Sequence, residues 1–266
     1  MTNHYKIAFI MVTLNEPYWP YLKPCVDSLK KFALNGHALD FIVWSDIPKD
    51  RENEFGVKII PTESHAWPIP TLMRYNLFLR EEKLLEEYDF LIYCDTDMLA
   101  VSRIGDEILG DLISAQHPMY AIKRQYIPPY EGNIKSTSYI PRVGKVIDEN
   151  GKKRFQPYYL AGGLQGGRSD VFIKAMKVMK EMIDKDFTEH NHIPIWNDES
   201  VWNAFLLNNP PDVVLSPSYV YPDSLVRDYY IRVWGRNYVP KLITLTKPFS
   251  LTKQGGQAIN QTLQNI

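Results

Sequence analysis

Two cysteines in 266 residues, Cys25 and Cys94, are too few for a disulfide framework. Each stands in an apolar pattern where a reduced, buried thiol is expected, which fits a reducing compartment. Long hydrophobic runs are missing as well. The apolar stretch near the N-terminus, Ile7 to Leu14, has only eight residues and no small-residue cleavage site, so neither a membrane span nor a secretory leader is expected. Nor is there an excess of charge of one sign. Thirty Lys plus Arg face 31 Asp plus Glu. No global positive field therefore draws nucleic acid or an anionic membrane, and any polyanion must be held locally. Repeats and low-complexity tracts are absent too. These absences point to a soluble, cytoplasmic protein with no nucleic-acid partner.

What is present is enough apolar material for a core, 45% hydrophobic and 13% aromatic. One domain over residues 1–266 is expected, with 247–266 a Gly- and Gln-containing tail expected to be mobile. Lys6 to Leu14 is apolar, rich in β-branched residues and closed by Asn15-Glu16-Pro17, the signature of a buried strand that ends in a loop. Tyr21 to Leu34 then carries Leu22, Cys25, Val26, Leu29 and Phe32 at helical spacing, and Phe41 to Trp44 reads as a second strand ending at Ser45-Asp46. A helical stretch over Thr71 to Leu85 leads into the strand Tyr88 to Cys94, which stops at Asp95-Thr96-Asp97. Strand, helix, strand predicts an α/β sheet, and ligands collect outside the carboxyl ends of its strands. Gln125 to Gln156, with its scattered Pro and Gly, reads as long loops. A helix from Asp170 to about Lys185 and another from near Asn197 follow.

Several motifs could carry chemistry. Asp95 and Asp97 at a strand end can hold a divalent metal, or can simply cap and turn the chain. A second such pair, Asp184-Lys185-Asp186, falls near the end of a polar-faced helix, where solvated surface acids are expected. Trp196-Asn197-Asp198-Glu199-Ser200 opens a helix. Its acids either satisfy free amides there or, beside a tryptophan, bind sugar hydroxyls, and the letters alone leave both readings open. Ala161 to Gly167 lacks the Lys-Ser or Lys-Thr ending of a phosphate-binding P-loop, so it either lets a bulky ligand approach or packs as a tight strand. Glu189-His190-Asn191-His192 reads as loop histidines rather than a metal cluster. Met176, Met179 and Met182 form the core stripe of an amphipathic helix.

Taken together, Tyr88 to Met98, His117-Pro118, Ser138 to Pro141, Tyr159 to Gly163 and Trp196 to Ser200 resemble glycosyltransferase family 6, in the same order from about Lys6 to about Gln257. The resemblance implies a GT-A fold, with a mixed, mostly parallel central sheet flanked by helices. It also implies a retaining transferase that moves N-acetylgalactosamine or galactose from a UDP-sugar to a galactoside hydroxyl in α-1,3 linkage. Asp95 and Asp97 would hold Mn(II) or another divalent metal on the diphosphate. Thr13, Asn15, Tyr18, Arg74, Thr96, Ala161, Gly162, Gly163, Asp198 and Lys253 would bind the donor. The small residues Ala161 to Gly163 would leave room for an acetamido group. His117 and Trp196 would shape the site of an oligosaccharide acceptor, a fucosylated galactoside by analogy with the blood-group branch. Glu199 would serve as nucleophile or as the charge that stabilises a cationic sugar. The chain departs from the family pattern at Asn197, where many relatives carry His, in an insertion over Arg142 to Phe155, and at Ile259 or Asn260, where an arginine is usual. A sugar-binding protein without activity and a metal-dependent UDP-sugar hydrolase are the competing readings.

Overall fold

A computed structural model describes residues 4–121, 128–141, 159–223 and 238–246, and the backbone of 146–147 and 153–154. In chain order the strands are β1 (Lys6–Thr13), β2 (Ala38–Ser45), β3 (Lys58–Pro61), β4 (Phe90–Cys94), β5 (Met98–Ala100), β6 (Ile113–Gln116), β7 (Val146–Ile147), β8 (Lys153–Arg154), β9 (Leu160–Arg168), β10 (Val213–Leu215), β11 (Tyr221–Pro222) and β12 (Leu242–Thr244). The α-helices are α1 (Trp19–Phe32), α2 (Glu52–Phe55), α3 (Ile69–Leu72), α4 (Arg74–Arg80), α5 (Glu82–Leu85), α6 (Ser169–His190) and α7 (Asn197–Asn208).

The main sheet has seven strands in the order β10-β6-β9-β4-β1-β2-β3. It is parallel except for β9, which runs antiparallel to both β4 and β6. This is the mixed, mostly parallel sheet expected for a GT-A fold. Along β1 the side chains alternate between two cores. Ile7, Phe9 and Met11 join Leu22, Val26 and Val43 on the α1 side, while Ala8 and Ile10 join Trp44, Phe78, Phe172 and Trp202 on the side of α4, α6 and α7. Burial on both faces is why these strands read as unbroken apolar runs. Cys25 and Cys94 are free and buried, as expected.

The structure changes two local expectations. Thr71 to Leu85 is not one helix: α3, α4 and α5 are separated at Met73 and at Glu81, whose φ of −110° and ψ of 28° leave the helical region. Each piece buries apolar residues, so the periodicity runs across the breaks and hides them. The acids of Asp184-Lys185-Asp186 are not both solvated. Asp184 pairs with exposed Lys180, but Asp186 is fully buried and accepts from Ser136 Oγ at 2.6 Å and from the Thr137 amide at 2.7 Å. Among the described residues no helix is long and apolar enough to cross a membrane.

Candidate active site

The site forms where the carboxyl ends of β1 and β4 meet the start of β9. Because β9 is antiparallel, Leu164 sits opposite Cys94, and the Asp95 amide donates to the Gly163 carbonyl at 3.0 Å. The glycines therefore lie against the paired acids. Helix α7 packs on β9 and brings its first turn to the same place: the Gly162 amide donates to Glu199 Oε2 at 2.8 Å. Absent side chains make this approach possible. A Cβ on Gly162 would come 3.1 Å from Glu199 Cβ and 3.3 Å from Asp198 Oδ2, and one on Gly163 would come 2.8 Å from Asp95 Oδ2. Gly166 and Gly167 serve packing instead, since a Cβ there would strike the carbonyls of Leu91 and Asp111.

Arg74 ties the acids together. Its buried guanidinium lies 2.9 Å from Asp198 Oδ2 and 3.7 Å from Asp95 Oδ1, donates to the Gly162 carbonyl at 3.2 Å, and stacks 4.0 Å from the Tyr93 ring centroid. Burial opposes its charge, but the Asp198 carboxylate and its neighbours hold it above the ordinary arginine range. The Tyr93 hydroxyl donates to Asp95 Oδ1. Two carboxylates, Asp95 and Asp198, face this guanidinium, and Glu199 lies next to Asp198 on α7. Burial pushes Asp198 up to about 6 against the pull of Arg74, and Glu199 up to about 7 against its Gly162 hydrogen bond and the nearby Tyr159 hydroxyl.

Thr13, Asn15, Tyr18, Arg74, Asp95, Thr96 and Asp97 line one cavity of about 300 Å³, with Trp67, Pro70, Thr71 and Tyr93. Asn15 is held at φ 74°, a left-handed conformation that asparagine tolerates better than most residues. Asp46 accepts its amide at 2.9 Å, and the His65 carbonyl accepts its Nδ2 at 2.9 Å. Thr13 Oγ1 and Arg74 Nε are buried and have no hydrogen-bond partner among the described residues.

The model of glycosyltransferase family 6 matches residues 6–245. The chain belongs to glycosyltransferase family 6. Histo-blood group ABO system transferase 1 of Rattus norvegicus is 29% identical over 220 residues, covering 79% of this chain and 60% of that protein. Globoside alpha-1,3-N-acetylgalactosaminyltransferase 1 of Homo sapiens is 28% identical over 221 residues, 77% of this chain and 58% of that protein. O-antigen biosynthesis glycosyltransferase WbnI of Escherichia coli is 26% identical over 193 residues, 72% of this chain and 73% of that protein. Against the first two, the chain spans about three fifths of the relative's length.

Of the positions that the family 6 resemblance named, those of the donor side gather as described, with two exceptions, Ala161 and Lys253. Ala161 turns its methyl into the α1-side core. Lys253 and the tail 247–266 lie outside the described residues, as does the insertion apart from the short β7–β8 pair. On the acceptor side, Trp196 is 47% exposed at the head of α7, and His117 follows β6 with its Nδ1 accepting the Met119 amide at 3.2 Å. Neither lines the 300 Å³ cavity. Burial pulls His117 down to about 4, so its imidazole is neutral at physiological pH. No side-chain hydrogen bond caps α7, and the carboxylates of Asp198 and Glu199 reach Arg74 and Gly162. The two acids thus reach beyond the helix from its first turn, where they also complement the free amides and the dipole.

Sequence reading missed Tyr93, which looks like any strand aromatic, and Tyr159. The ring of Tyr159 packs within 5.7 Å of His117, Tyr120 and Tyr130, and its buried hydroxyl lacks a partner of regular hydrogen-bond geometry. Only their places next to motif residues could have flagged them.

Proposed function

We propose that this protein is a metal-dependent retaining glycosyltransferase that moves N-acetylgalactosamine, or galactose, from a UDP donor to a galactoside hydroxyl in α-1,3 linkage. The supporting observation is that Arg74 and Asp95, which line a cavity able to take a nucleotide, are joined to the α7 acids: Arg74 pairs with Asp95 and Asp198, and Glu199 is held next to them by the Gly162 amide. Asp95 and Asp97 offer hard oxygen ligands on the cavity wall, which suits Mn(II) or Mg(II). No group of three ligating side chains forms among the described residues, so diphosphate oxygens and water would complete the shell. The ion would neutralise charge on the departing UDP.

The chain's own residues do the rest. Thr13, Asn15 and Tyr18 hold the uridine. Arg74 fixes Asp198 for the donor-sugar hydroxyls. Glu199, seated by the Gly162 amide, either supplies negative charge to an oxocarbenium-like transition state or bonds to the anomeric carbon as the bond to UDP breaks, the acceptor hydroxyl then displacing it. Ala161 faces the core, and the space beside Gly162 and Gly163 is taken by Glu199, Asp198 and Asp95, so these small residues seat the acids and the choice between the acetylated and the plain donor is left to the assay. UDP release from UDP-N-acetylgalactosamine and UDP-galactose, with and without Mn(II) and 2'-fucosyllactose, tests the proposal. Metal-dependent, acceptor-stimulated release supports it, release indifferent to acceptor favours a hydrolase, and no release favours a binding protein.

A further inference from the structure

Pro194 is buried and Ile193 packs on the core, but the next two residues turn outward: Ile195 is 58% exposed and Trp196 47%, so apolar burial does not fix them. Hydrogen bonds hold their backbone, the Trp196 amide donating to Ser200 Oγ at 3.1 Å and the Ile195 amide to a carboxylate. Glu131, only 4% exposed, accepts the Ile195 amide at 2.7 Å on Oε2, which also lies 3.2 Å from His192 Nε2, while its Oε1 accepts the Asn133 amide at 2.7 Å. Burial works against its charge, yet these donors hold it below the ordinary glutamate range. The loop that carries Glu131 is itself anchored, since Asp186 on α6 accepts Ser136 Oγ and the Thr137 amide, and the Ile140 amide donates to the Glu131 carbonyl at 3.1 Å. A line of hydrogen bonds thus runs from α6 through the loop to the residue before Trp196. Glu131 does not line the nucleotide cavity.

We propose that Glu131 is a positioning residue of the acceptor side: by clamping the Ile195 amide it fixes the stance of Trp196 and so sets affinity for the acceptor saccharide, independently of the donor. The inference rests on reading Trp196 as the acceptor wall. Removing the carboxylate leaves the Ile195 and Asn133 amides without their buried acceptor, and the segment must move to find water.

The test compares wild type, Glu131→Ala and Glu131→Gln. Glu131→Ala should raise the acceptor KM about tenfold while the UDP Kd by calorimetry stays within about twofold, since tenfold in affinity is the scale of one charge-assisted hydrogen bond. Glu131→Gln keeps one acceptor oxygen and should fall between, and it carries the comparison if the alanine variant does not fold. An unchanged acceptor KM, or UDP affinity lost in step with it, overturns the proposal. Hydrogen exchange at residues 192–197 of the ligand-free protein is the activity-free arm: it should quicken in both variants while β4 stays protected. If wild type transfers no sugar, the transferase reading fails and the exchange arm alone decides, unchanged exchange at Ile195 overturning the clamp.

Discussion

At the Glu199 side chain, burial beside Gly162 and Tyr159 favours the protonated form, moving it from an ordinary 4.5 to about 7. A raised carboxylate makes the folded chain bind the proton more tightly than the unfolded one. The stability this adds is complete below about pH 4.5 and is lost as pH rises through about 7. Ligand-free melts from pH 5 to 8 should show that decline, and Glu199→Gln, uncharged throughout, should flatten it; an equal slope would assign the effect to Asp198. Turnover runs the opposite way, because the transition state needs the ionised form, so kcat/KM should climb across the same range. Glu199→Gln should lower kcat by at least about a hundredfold, the scale of losing one electrostatic stabiliser, with UDP affinity retained. Gly163 makes a separate prediction. A methyl there meets the far end of the Asp95 side chain, which can swing away at little cost to folding. Gly163→Ala should therefore leave the melting temperature nearly unchanged yet raise the Mn(II) concentration needed for half-maximal turnover several-fold. An unaltered metal requirement would mean that Asp95 Oδ2 is not a ligand.

Among the elements, α7 carries two site acids and depends on Trp202 for its seat. That side chain is fully buried, stacks on Phe205 at 5.9 Å, and donates from Nε1 to Ser114 Oγ at 2.9 Å. Trp202→Ala should cost about 3–5 kcal/mol in urea unfolding, as for other large aromatics removed from a core. Elements like β1 and β4 were legible because strands buried on both faces leave continuous apolar runs. The Lys6 to Leu14 reading matches Lys6–Thr13 almost to the residue. Helix α6 runs five residues beyond Lys185: Phe187 continues the stripe of Met176, Met179 and Ile183 onto the core, and buried Asp186 is held by Ser136 and Thr137, a polar tie that carries no periodic signal. The strand character of Ala161 to Gly167 was ambiguous for a related reason, since glycine carries no periodic signal and only pairing with distant β4 and β6 fixes it. Glu131 was illegible. It sits in a loop with no period, and the Ile195 amide it holds is 64 positions away in sequence.

For the whole molecule, the proposed metal would couple to stability, since a cation bound only by the folded chain stabilises it. Mn(II) with UDP should raise the melting temperature in proportion to the logarithm of ligand concentration, reaching about 2.7 kcal/mol of added stability at a hundred times Kd, and EDTA should reverse it. No stabilisation by Mn(II) with UDP, beside stabilisation by UDP alone, would remove the metal from the site. The placement of β9 also bears on how the protein is made. Its two neighbours, β4 and β6, both precede it in the chain, and it enters between them against their direction. A nascent chain leaving the ribosome therefore has β4 as an open sheet edge and β6 without a strand partner until β9 emerges, since β10 follows later still. Over that interval the bare β4 edge is free to pair with another chain, so aggregation during synthesis should be greatest before β9 is complete.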